Sequence, residues 1–374
     1  MATFVPAEVF PPGEFIKDEL EARGWTQADL AEVMERPVQV VSEIIRGKKR
    51  VTEETARELE AALGIEAEFW TRTEALYRLR HTEPASTSIA ERASIRQRVP
   101  LRQMISRGWV KPSTDVHELR ANVLNFLGVD SLQEHAPFAK AAKQREYDQP
   151  SSLVQEVWLL RVKQLAESMI TPGYSREKLL STVDRMKALL REPELVAQVP
   201  KLLDAAGVRF LIVERLPGLK TDGVCFWVNE NSQPVIGMSM TADRIDNFWF
   251  VLRHEIEHVL NEDGKSGAIV DDDLDGDGES ESPIEARANH AAAEFCLPQA
   301  ALQSFIDRKG PLFTDQNIRL FAQVQGRHPG IVAGQLRRRL KAWNKFTKHL
   351  AKVREHVTAT AMVDGFGTVA GAGS

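Results

Sequence analysis

Residues 250–263 read FVLRHEIEHVLNED. Two histidines, His254 and His258, stand four apart, and Glu255 follows the first. Around them Ile245, Phe248, Trp249, Leu252, Ile256 and Leu260 recur at spacings of three and four. That period predicts one amphipathic helix from Asp243 to Leu260 with a continuous apolar back. His254 and His258, at i and i+4, share a different face about one turn apart. Two imidazoles so placed can bind one Zn²⁺, and Glu255 beside them can take a proton from metal-bound water. The plainer reading is a solvated helix face with two histidines. The apolar back and the strand-like runs just upstream favour the metal.

A metal site needs a third ligand. A third histidine in the longer form of the pattern would require glycine at 261 and histidine at 264, where the chain has Asn261 and Gly264. A carboxylate on a following helix is the other solution, and Glu285 opens the alanine-rich run IEARANHAAAEFCL at 284–297. Asn289 lies on the same helical face, and Ala288 and Ala292 keep that face small enough for close packing. His290 is the runner-up ligand on the opposite phase; Glu279, Glu281 and Glu294 are poorer candidates. Between the two helices, VDDDLDGDGESESP mimics a calcium loop beginning at Asp271, but the twelfth position counted from there is Ser282 rather than glutamate. It reads as an acidic loop rimming the site.

Working outward, VRFLIVERL, GVCFWVN and PVIGMSM are short β-branched and aromatic runs split by turn residues. They predict a small sheet of about three strands. Residues 96–200 read as a helical connecting region, and 81–95, small and polar, as a linker. Helical runs are expected over 314–325 and 330–355, within a C-terminal helical part at 311–357, and disorder over 358–374. The fold class is therefore mainly α with a small β-sheet.

Composition narrows the function. The 374 residues carry a net charge of -5, so any nucleic-acid contact must come from a local patch. Two cysteines give neither a disulfide framework nor a cysteine zinc site. No run approaches a membrane span, and the first residues lack a secretory pattern, so a cytoplasmic protein without membrane partners is expected. Residues 1–80 read as packed short helices. Within them WTQADLAEVMERPVQVVSEIIRGKKR, residues 25–50, has the anatomy of a helix-turn-helix. Val41 and Ile45 anchor its second helix to a core, and Gly47 ends it before Lys48, Lys49 and Arg50. Val38, Gln39, Ser42 and Glu43 are the candidate base-facing positions, with Gln39 suited to adenine, and Gln27 on the first helix is a further DNA-binding candidate. Arg46, Lys48 and Lys49 would meet backbone phosphates.

Two resemblances follow. DNFWFVLRHEIEHVL, then EARANHAAAEFCLP and HPGIVAGQLRRRL, resemble the ImmA/IrrE metallopeptidases, matching at Glu285, Ala288, Asn289 and Leu297-Pro298; Ala291 departs from a usual phenylalanine. The resemblance implies a gluzincin-like zinc-peptidase domain at 201–310, with Zn²⁺ on His254, His258 and Glu285, Glu255 as catalytic base, and a repressor-type protein as substrate. PGEF, TQADLA, IIRGKKR and EFW resemble the XRE antitoxins of the HigA/VapI group. This implies operator DNA, a homodimer on a palindrome and a cognate toxin as partners. Two positions depart: Glu35 stands where glycine is usual in the turn, and Pro37 where serine is usual. A non-catalytic antitoxin, using the peptidase fold only as a partner platform, is the competing reading.

Overall fold

The computed structural model describes residues 9–83, 86–138, 153–272 and 282–368. The acidic loop expected as a rim falls largely at 273–281, outside the described residues. The chain divides into two compact units, residues 1–89 and 90–374.

In the first unit five helices surround one core: α1 Pro12–Arg23, α2 Gln27–Val33, α3 Val38–Ile45, α4 Glu53–Leu63 and α5 Ala67–His81. Ile16, Leu30, Val41, Ile45, Leu59 and Trp70 fill it. The expected capping signal at Thr26 is met on both sides. The Asp29 backbone N–H donates to Thr26 Oγ1 at 3.2 Å, and the Thr26 N–H donates to Asp29 Oδ2 at 2.6 Å. Gly13 of the PGEF stretch is needed for packing, since a Cβ there would stand 2.0 Å from the Ile45 carbonyl oxygen.

The turn between α2 and α3 keeps the left-handed form despite its glutamate: Glu35 has φ 51°. The Glu35 N–H donates to Glu32 O at 3.1 Å and the Arg36 N–H to Ala31 O at 2.9 Å, the paired bonds that close a helix C-terminus. Those bonds offset a backbone cost of about 1 kcal/mol. Arg36 then grips Glu58 of α4, 2.6 Å from Nη2 to Oε1. Pro37 is the N-cap of α3 rather than a residue of its first turn.

α6 Thr87–Arg98 begins at the end of the first unit and continues into the second, which further comprises α7 Leu101–Ser106, α8 Val116–Leu127, α9 Leu153–Ser168, α10 Arg176–Met186 and α11 Val199–Ala205, followed by strands β1 Arg209–Val213, β2 Thr221–Val228 and β3 Gln233–Met238. Then come α12 Ile245–Leu260, β4 Ile269–Asp272, α13 Pro283–Cys296, α14 Gln299–Lys309, α15 Asp315–Gln325, α16 Pro329–Arg339, α17 Arg354–Thr358 and β5 Met362–Asp364. The five strands form one mixed sheet in the order β4-β2-β3-β1-β5. β2 runs antiparallel to both β3 and β4, while β1 runs parallel to β3 and β5.

Both faces of the sheet are buried. Phe210, Ile212, Cys225, Trp227 and Ile236 point into one core with α12. Leu211, Val213, Val224, Phe226 and Val235 point into the other, with α8 and α9. Each strand alternates between two apolar layers, which explains why the strands read as near-continuous apolar runs.

Several expectations change here. The sheet has five strands, not about three, because β4 and β5 are too short to show a pattern of their own. The stretch expected as an 81–95 linker is helical from Thr87 onward, in α6, with Ile95 fully buried. The run expected at 330–355 breaks at Leu340. The tail expected to be disordered from 358 supplies β5 up to Asp364. There a buried Asp364 accepts from Trp109 Nε1 at 3.1 Å and pairs with Arg161 at 2.5 Å. Pairing with β1, burial of Val363 and this long-range ion pair together hold the strand. Among the described residues, no helix is long and apolar enough to cross a membrane.

Candidate metal centre and nucleic-acid face

The α12 back is buried as its spacing predicts, with Ile245, Phe248, Trp249, Leu252, Ile256 and Leu260 in the core. His254, Glu255 and His258 are buried too, because α13 packs across that face of α12. Ala288 and Ala292, both fully buried on α13, allow the approach. It brings Glu285 to the imidazoles. His254 Nε2 lies 3.1 Å from Glu285 Oε2, His258 Nε2 lies 3.7 Å from Oε1, and the two Nε2 atoms are 3.0 Å apart.

The outer nitrogens set the chemistry of this cluster. His254 Nδ1 stands 2.9 Å from Asn289 Oδ1, and His258 Nδ1 stands 3.1 Å from Asp263 Oδ2. Amide and carboxylate oxygens only accept, so each Nδ1 carries the proton and donates it. In the neutral rings both Nε2 lone pairs then face each other and the Glu285 carboxylate. Three acceptors in mutual reach repel unless a cation sits among them. A four-coordinate zinc with its ordinary bond lengths would space such donors about 3.3 Å apart, within the observed spread. His254, His258 and Glu285 can therefore hold a divalent ion.

Glu255 is fully buried beside this cluster. Strand β2 makes room for it: a Cβ at Gly223 would stand 1.9 Å from Glu255 Oε1. The register of β2 against β4 shifts between Thr221 and Gly223, at the same point of the strand. Asp263 is held in turn by Arg287, whose Nη2 donates at 2.6 Å. Burial pushes the Asp263 carboxyl up, but hydrogen bonds from His258 and Arg287 outweigh it and hold it below the usual carboxylate range.

Asp263, Arg287 and Gly223 were not singled out from the sequence. Asp263 ends the opening stretch, but it lies past the end of α12. It reaches His258 only because Glu262 takes a left-handed φ of 58° and turns the chain back. The other candidate ligands lie elsewhere. His290 is exposed. Glu294 accepts from the Gln299 backbone N–H at 2.9 Å at the start of α14. Glu279 and Glu281 lie outside the described residues. Apart from these ligand candidates, His328 caps α16, its Nδ1 accepting from the Gly330 N–H at 3.0 Å, and burial lowers its pKa.

In the first unit, α3 presents its outer face to solvent. Val38 is 49% exposed, Gln39 is exposed, and Ser42 and Glu43 are half-buried. Gln39 Nε2 lies 3.5 Å from Glu43 Oε1 on the same face. Gly47, with φ 68°, ends the helix, and exposed Arg46, Lys48, Lys49 and Arg50 cluster around it. The Gly47 carbonyl accepts from Arg78 Nη2 of α5 at 3.2 Å, which fixes where this cluster leaves the core. Gln27 is half-buried at the first turn of α2.

A helix-turn-helix family model (HTH_3) matches residues 16–70. The first unit carries a helix-turn-helix over these residues. No curated protein matches the chain. Among solved structures, a Nostoc punctiforme PCC 73102 protein described as an antidote protein of a plasmid maintenance system is similar at 28% identity. That match covers 20% of this chain and 82% of that one, with a TM-score of 0.20. The family match lies within the first unit, so the reading of the second unit rests on its own residues.

Proposed function

We propose that this protein is an operator-binding regulator of antitoxin type whose second unit is a zinc-dependent peptidase. The observation that carries the enzymatic half is the meeting of His254, His258 and Glu285, from two helices, around one point beside a buried Glu255. Zinc held there would lower the pKa of a bound water towards ~7 and polarise a substrate carbonyl. The chain's own residues do the rest. Asn289 and Asp263 fix the ring orientations and tautomers. Glu255 receives a proton on its carboxylate and returns it to the leaving amine. Gly223 leaves the space in which that carboxylate stands. The DNA half rests on α3 with its exposed Val38 and Gln39 facing bases, and on Arg46, Lys48 and Lys49 facing phosphates.

Elemental analysis of the full chain should find about one zinc per protein, lost in His258→Ala. Glu255→Gln should keep the metal and abolish proteolysis of the partner protein. If Glu255→Gln leaves toxin neutralisation and partner processing intact, the domain is a binding platform and the non-catalytic antitoxin reading replaces this one. For DNA, Lys48→Gln with Lys49→Gln should weaken binding to the chain's own promoter fragment and reduce the salt slope by about two.

A further inference from the structure

Residues 316–354 carry ten Lys and Arg and no Asp or Glu, in a chain whose net charge is -5. Part of that charge is structural. Arg327 donates to the carbonyls of Cys296 and Phe295 at 2.9 and 3.1 Å, and Arg354 donates to Met240 O at 3.0 Å. Arg337 is likewise structural, buried and donating to Trp343 O at 3.1 Å, and Arg338 lies over the Phe250 ring. Arg339 and Lys345 stand at one place. α14, the turn after it and the segment after α16 enclose an open cleft of about 670 Å³. Ile306, Leu312, Phe313, Leu340 and Phe346 supply its apolar lining. Leu312 is 78% exposed and Leu340 38%.

Cations ring this cleft. Lys345 lines it. Exposed Arg308 and Lys309 directly precede its Gly310 wall, and Arg339 directly precedes Leu340. Arg339 Nη2 donates to Gln303 Oε1 of α14 at 3.1 Å, which ties it to the same flank. Among the described residues, two carboxylates stand nearby, of which Asp315 is offset by cations while Asp307 keeps its charge. Asp307 accepts from Gln303 Nε2 at 2.8 Å, and Asp315 pairs with Lys348 and His349.

We propose that this cleft docks an acidic, amphipathic segment of a partner protein, with leucine or phenylalanine side chains seated in it and flanking carboxylates on the basic rim. The rim charge selects an anionic partner. The floor decides between a peptide and a nucleic acid. Phe313 is engaged with Phe305 and Phe346, at ring distances of 5.8 and 5.9 Å, so neither Phe313 nor Phe346 offers an unobstructed stacking platform. The only polar side chains lining the cleft are Lys345 and Thr314, and the Thr314 hydroxyl already accepts from the Asn317 N–H at 3.2 Å. A nucleobase buried there would lose most of its edge hydrogen bonds, whereas apolar side chains lose none. The cleft shares no lining residue with the candidate metal site or with α3.

The test uses the full chain and three fluorescent probes: a short helical peptide with Leu and Phe on one face and Glu on the other, its twin with Lys in place of Glu, and an oligothymidylate. Anisotropy should show binding of the glutamate peptide alone, weakened about tenfold or more by Lys345→Glu, Arg339→Glu or Leu312→Asp. These positions are accessible, and circular dichroism with retained promoter binding checks that each variant is folded. The proposal is overturned if the glutamate peptide fails to bind, if its lysine twin binds as tightly, or if the variants leave its affinity unchanged. It is equally overturned if the oligothymidylate is the probe that Lys345→Glu releases.

Discussion

The two candidate sites are assembled in opposite ways. On the helix-turn-helix unit, nearly all the residues assigned to DNA lie on one eight-residue helix and the turn that ends it. The metal centre draws on α12, the turn after it, α13 and β2. A contiguous surface is set by helical phase and by what the core takes away from the other face. A convergent site exists only if separate elements pack at one spacing. Damage to the first should therefore be local, whereas the second should fail at positions that touch no ligand.

The largest test of that contrast is Trp70→Ala. Trp70 is fully buried and donates to the Ile65 carbonyl at 3.1 Å. Losing it should destabilise the first unit by about 3–5 kcal/mol. Calorimetry should show an early transition and loss of promoter binding, with zinc content unchanged. Loss of zinc in this variant would mean that the two units do not fold independently. Next in size is Asp263→Ala, which removes the acceptor that orients His258. Zinc affinity in chelator competition should fall about 10–100-fold while promoter binding stays as it was. An unchanged affinity would show that α12 alone sets the ring geometry.

Smaller is Glu35→Gly. It relieves a left-handed glutamate, and the first unit should melt later by an increment equivalent to about 1 kcal/mol. An unchanged or lowered melting temperature would show that the Glu35 side chain itself stabilises the turn. The last test varies pH and concerns Glu156 of the second unit, buried against Arg98 at 2.9 Å. Burial raises its carboxyl, but Arg98, the Ala136 N–H and His135 together hold it below the ordinary value. A depressed folded pKa adds stability that is complete above the unfolded value of about 4.3. That stability is lost as pH falls through the lower folded value. Acid titration of unfolding should show this loss, and Glu156→Gln should flatten it.

Much of the architecture could be read from residue spacing, and the misses share a cause. α12 shows itself because one period runs through Ile245, Phe248, Leu252, Ile256 and Leu260. β5 does not, because Met362–Asp364 is three residues long and is held by Arg161 of α9 and by Trp109 of the turn after α7. The 81–95 stretch reads as a linker because its small polar residues hide the few positions, such as Ile95, that the core buries. Glu285 and Asn289 could be nominated from helical phase. Asp263 and Gly223 could not, since nothing within a few residues of either marks its neighbour in space.

Helix periodicity, capping residues and charge clusters are local, acting over one or two turns, and so the amino-acid order alone determined α3, its basic end and the paired histidines of α12. Which carboxylate faces those histidines, which side chains orient them, and where the basic C-terminal stretch meets an apolar cleft depend on contacts between residues tens of positions apart. Packing decides those, because an apolar surface can be buried in only a few ways, and each way brings different polar groups together.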